Sequence, residues 1–129
     1  MCNFSIESLI NTLDTNATTI NSKNKLIFGT NSGIVLGKVL YKNNKDFEFE
    51  NFATIKILFE NVPEDKFIFT ENAKSFIVLY DVVVINNNSN ITLPFLILFL
   101  PEIQYLSFGQ LPKHLISIDE LWFIRFIIS

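Results

Sequence analysis

Two apolar runs meet across a polar turn near the middle of the chain: Ser75 to Ile85, then Asn86 to Asn90, then Ile91 to Leu100. Short apolar runs bounded by turn residues predict a long β-hairpin, and runs without alternation predict strands covered on both faces. Around this hairpin the pattern predicts further strands. Asn31 to Gly33 reads as a turn, and Ile34 to Tyr41 as a strand with Gly37 marking a bend or bulge. Thr18 to Asn21 and Leu26 to Phe28 read as weakly extended, Phe47 to Glu50 as an alternating strand, and Thr54 to Phe59 as another. Phe67 to Thr70 is a short strand, Pro101 a break, and Ile103 to Phe108 a closing strand.

Helical periodicity is expected at the two ends. Phe4, Ile6, Leu9, Ile10 and Leu13 fall on one face and predict a helix over 3–13, capped by Asn3 or Ser5 and ended by Asp14 to Ala17. Residues 113–129 form an apolar tail read as a helix from about Ile118 to Ile128, which needs cover from its own domain or from a partner. The expectation is one domain over 1–129, mainly β: a small, strongly bent barrel over 17–108 with a short N-terminal helix. Continuous apolar strands in so small a chain imply a closed barrel, its outer wall meeting a helix or another subunit.

Composition sharpens this. The chain has 129 residues, 49% hydrophobic, with 14 Phe and mean hydropathy +0.33, enough for a real core. Net charge is −3, which counts against a general nucleic-acid binder. Lys23, Lys25, Lys38, Lys42 and Lys45 give the N-terminal half a mild basic bias, so a weak single-strand platform beside Phe28 and Tyr41 is the alternative function. The longest apolar run is too short for a membrane-spanning helix, and no leader pattern opens the chain, so a cytoplasmic protein is expected.

The single Cys2 and the single His114 define no catalytic arrangement. Glu48 and Glu50 read as a solvated strand face, and neither metal-ligand spacing nor a cofactor fingerprint is present. The reading is therefore a non-enzyme without cofactor or metal.

The order of elements resembles the Sm-like (LSm) family of small β-barrels. The leading helix, the Gly33 to Leu40 stretch with its two glycines, Phe76 to Val82 with Asp81-Val82, and Ile97 to Ser107 carry the resemblance. It implies a bent barrel that assembles into rings by pairing edge strands of neighbours, with RNA binding in some members. Two departures stand out. The stretch between Leu40 and Phe76 is longer than the family's link, enough for an inserted hairpin. Leu100-Pro101 falls where the family carries Arg-Gly, which removes the arginine that would meet a base or phosphate. The expected function is thus a self-associating structural or protein-interaction module. Its expected interface comprises Phe76, Val78, Leu98, Leu100 and, in the tail, Leu121, Trp122 and Phe126, with the tail also open to a protein partner.

Overall fold

The structure, a computed structural model, describes residues 5–87 and 89–110. The first helix, α1, runs Ile6–Ile20. Ser5 is its cap: its backbone is extended and its Oγ accepts the Ser8 N–H at 3.1 Å. The helix does not stop at Leu13, and Thr18 to Asn21 is not a strand. Thr15, Thr18 and Thr19 each donate a hydroxyl to a carbonyl one turn back, on Asn11, Asp14 and Thr15. These bonds let residues of poor helix propensity continue the helix. Ala17 then extends the buried face begun by Ile10. Asn24, the one buried polar residue among those described, ties down the end by donating Nδ2–H to the Ala17 carbonyl at 2.9 Å.

Six strands follow: β1 Lys25–Thr30, β2 Gly33–Val39, β3 Ile68–Glu71, β4 Lys74–Asn86, β5 Ser89–Phe99 and β6 Tyr105–Gly109. All pairings are antiparallel. The expected hairpin is present as β4 and β5, with Asn86 opposite Ser89. β3 and β4 join through Asn72 and Ala73, both at positive φ (54° and 64°), as a two-residue hairpin turn requires. One edge of β4 takes β3 along Lys74 to Ile77 and β2 along Leu79 to Ile85, while the other edge takes β5. β2 pairs β1, and β1 pairs β6.

The bulge expected at Gly37 is there, and β4 supplies the extra residue. Leu36 pairs Val83 but Lys38 pairs Tyr80, so Gly37 faces both Asp81 and Val82. Asp81 takes a left-handed φ of 54°. A bulge bends its strand and sharpens the twist, and this one curls the sheet. The result is a mainly-β half-barrel rather than the closed barrel expected: among the described residues β5 and β6 do not pair.

The stretch between β2 and β3 departs most from expectation. Phe47 to Glu50 is no strand; it leads into a 3-10 turn at Phe49–Asn51. Thr54 to Phe59 is no strand either, but lies in a helix, α2, Ala53–Glu60. The insertion is therefore a turn, a helix and the strand β3, which forms a hairpin with the start of β4. Phe52, Ile55 and Phe59 are spaced three and four apart, so they share one helix face, and Ile55 and Phe59 are buried. Lys42 caps the far end of α2, donating from Nζ to the carbonyls of Glu60 (3.1 Å) and Val62 (3.0 Å).

Two cores result. Inside the curl, Leu26, Phe28, Val39, Ile77, Leu79 and Val82 pack with Ile10 of α1. Outside it, Val78 of the same strand packs with Leu40, Phe47, Ile55, Phe59 and Phe69. Both faces of β4 are thus covered, the outer one by the inserted helix, which is why its sequence lacks alternation. The phenylalanines of the outer core form a continuous chain of ring contacts. It links Phe47 to Phe49, Phe52 and Tyr80, Phe52 to Phe95, and Phe49 through Phe59, Phe69 and Phe76 to Phe99, at centroid distances of 5.0–6.1 Å. Cys2, His114 and the apolar tail lie outside the described residues.

Candidate functional site

The half-barrel presents two kinds of feature: unpaired strand edges and a polar cleft. The first edge belongs to β5, whose 11 residues pair, among the described residues, only with β4. Pro94 sits within it, opposite the bulged Asp81, where the missing N–H is tolerated because the strand is at a sheet edge. Its side chains are largely apolar. Leu93, Phe95, Leu96 and Ile97 are half-buried, while Ile91 (53% exposed) and Phe99 (42%) reach solvent. The second edge is β6, which among the described residues pairs only with β1. Tyr105 lies flat over Gly29 of β1, a position where any side chain would collide with the ring. A row of unpaired backbone donors and acceptors beside apolar side chains is a template for another strand.

Of the expected interface residues, Val78 and Leu98 are buried inside the chain, so their side chains serve the core. Phe76 is half-buried in the aromatic chain and Leu100 half-buried beside the inner core. Leu121, Trp122 and Phe126 lie outside the described residues. On this side the β5 edge exposes Ile91 and Phe99.

Three of the five lysines make contacts within the fold. Lys25 pairs with Asp81 at 3.5 Å, Lys38 donates to the Ser22 carbonyl at 3.3 Å, and Lys42 caps α2. Lys23 and Lys45 are exposed. Glu48 and Glu50 are also exposed: Glu48 accepts from Asn51 at 2.6 Å and Glu50 pairs with Lys56 at 2.9 Å, so each serves its local turn.

A cleft of about 460 Å³ lies between α1 and the segments following β2 and preceding β3, with Glu7, Asn11, Asp14, Tyr41, Asp65 and Phe67 on its walls. The Tyr41 hydroxyl donates to Asp14 Oδ2 at 3.2 Å, and the Tyr41 ring meets Phe67 edge-on at 5.5 Å. Burial pushes the Asp14 carboxyl above its ordinary range, against the Tyr41 hydrogen bond and the Lys38 charge, which pull it down. Burial first, then the Asp14 charge, drives the Tyr41 phenol far above its usual value. Tyr41 therefore acts as a hydrogen-bond donor and not as a base. Among the described residues the walls offer acceptors and hydroxyls and no lysine. A helix ended at Leu13 hides this pairing; continued to Ile20, it places Glu7, Asn11 and Asp14 on one face at helical spacing.

The Asp14 shift has a consequence for stability. Its pKa is higher folded than unfolded, so its contribution is fully present below the ordinary value of 3.8 and is lost as pH rises through the raised value. Asp14→Asn keeps an acceptor for Tyr41 without the charge. Its urea midpoint should gain on the parent's as pH rises from 3.5 to 7; an equal difference at both ends would show that the carboxylate is not penalised by the fold.

Among the described residues no group of histidine, cysteine or carboxylate side chains could hold a metal ion, and no helix is long and apolar enough to cross a membrane. The chain matches no protein-family model, no curated protein and no solved structure.

Proposed function

We propose that the chain is a self-associating structural module whose copies join by strand addition, β5 of one against β6 of the next. The observation that carries this is the two longest edges left unpaired among the described residues, β5 and β6, at opposite ends of one curled sheet, the first 11 residues long and apolar. Long apolar edges left bare are aggregation sites, so a chain that keeps one has a use for it. Each edge cannot pair with the other in the same chain without closing the curl, whereas a second copy satisfies both in turn. An Sm-like relationship is the finer form of this proposal. It is supported by a leading helix followed by a sheet in which the first strand lies beside the last, and by the bulge at Gly37.

The alternative, weak single-stranded nucleic-acid binding, has less support, because Lys25, Lys38 and Lys42 are already engaged within the fold.

Sedimentation velocity tests the proposal. The parent chain should sediment as an oligomer at micromolar concentration. Ile91→Lys combined with Phe99→Lys, both at exposed positions of β5, should weaken association about tenfold or more, roughly 1.4 kcal/mol, with an unchanged far-UV spectrum. A parent that stays monomeric at tens of micromolar overturns it.

A further inference from the structure

We propose that the apolar C-terminal segment, residues 115–128, docks along the exposed stripe of α1 in its own chain. The observation that opens this is an unbalanced helix. Ile6, Leu9, Ile10, Leu13, Ala17 and Ile20 lie within one arc of α1, yet only Ile10 and Ala17 are buried. Ile6 is 39% exposed, Leu9 43% and Ile20 68%, so uncovered apolar side chains stand at both ends of the arc, with Leu13 between them half-buried against the inner core.

The path of the chain selects the occupant. β6 ends at Gly109, paired with Lys25. Lys25 follows Asn24, whose side chain is bonded to Ala17 near the end of α1. The chain therefore leaves the sheet at the C-terminal end of α1, close to its most exposed residue, Ile20. From there α1 extends for about 22 Å at 1.5 Å per residue. Residues 110–117 alone can reach about 26 Å when extended, so every point of the stripe is accessible to the segment that follows.

The other exposed apolar side chains are less suited. Ile57 is on α2, Ile91 pairs with Val84 at the end of the sheet remote from Lys25, Phe99 stands in edge contact with Phe76, and Tyr105 lies over Gly29. The segment itself, with Ile118, Leu121, Trp122 and Phe126 among its apolar residues, needs an apolar surface. The stripe supplies one without consuming the β5 edge, so this docking stands or falls independently of self-association.

Trp122 is the only tryptophan, and its fluorescence reads the docking in the full chain. The expected result is a blue-shifted emission with weak iodide quenching, unchanged on dilution through the micromolar range. Leu9→Asp with Ile20→Asp should shift the emission red and raise iodide quenching several-fold. Ile20→Asp alone, at the last residue of the helix, should do so in part, and it guards against misfolding of the double variant. Ile57→Asp should leave the emission unchanged. A solvent-exposed Trp122 in the parent overturns the proposal, as does a buried one indifferent to both α1 variants. Protection lost on dilution assigns the segment to a second copy and overturns docking within one chain.

Discussion

Phe59→Ala should destabilise the protein by about 3–5 kcal/mol, the range for deleting a buried aromatic ring. Phe59 is 2% exposed, and its ring meets Phe49 at 5.6 Å and Phe69 at 5.0 Å. It joins the inserted segment to β3 and, through Phe69 and Phe76, to β4. Removing it leaves a cavity between α2 and the sheet, which the short helix can only partly fill by moving inward. A small domain has roughly 5–15 kcal/mol in all, so the loss is a large share. Phe99→Ala is the contrast. It stands at the open end of the same aromatic chain, 42% exposed, in edge contact with Phe76 at 5.7 Å. Its loss should cost about 1 kcal/mol, near the value of one aromatic pair. Urea unfolding of the two variants separates them. Similar costs would mean that the aromatic chain carries no packing weight beyond the surface each ring covers.

Phe59 also shows why the insertion was hard to read. Thr54-Ile-Lys-Ile-Leu-Phe is rich in β-branched and aromatic residues, and its local preference is for a strand. The helix wins through contacts that local preference does not contain: Ile55 and Phe59 one turn apart, both buried against Phe69, Val78 and their neighbours. Phe47 to Glu50 alternates like a strand, but its two rings fold back onto each other at 5.0 Å in a turn. By contrast, Gly33 and the Asn-rich turn after Ile85 act through backbone conformation, which is local, and the hairpins they announce are both found. The unpaired edge of β5 was legible only in outline. The sequence shows an apolar strand with a proline, but not which of its neighbours is absent. The Asp14–Tyr41 contact needed the true end of α1, which the threonine hydroxyls determine.

Gly33→Ala should cost about 3 kcal/mol, more than its single methyl would indicate. Gly33 opens β2 at φ +136°, a conformation that side-chain-bearing residues rarely adopt, and an added Cβ would run into the Ile85 carbonyl oxygen of β4. Backbone strain of this kind costs about 1–3 kcal/mol, and crowding in a packed interior adds a similar amount. The obstacle is a backbone atom of the central strand, so no rotamer change relieves it. Gly37→Ala should be milder, about 1 kcal/mol. Its Cβ would lie 3.1 Å from Leu79 Cβ and 3.2 Å from Val82 Cγ2, side-chain atoms that can give by a few tenths of an ångström. Thermal or urea unfolding of the pair distinguishes conformation from space. Equal losses would place the requirement at Gly33 in packing alone. The difference reaches beyond stability, because β2 links the two halves of the curl: β1 and β6 on one side, β4 and β5 on the other. A strained start to β2 alters the angle between the β5 and β6 edges, so Gly33→Ala should also weaken self-association in sedimentation at protein concentrations where Gly37→Ala does not.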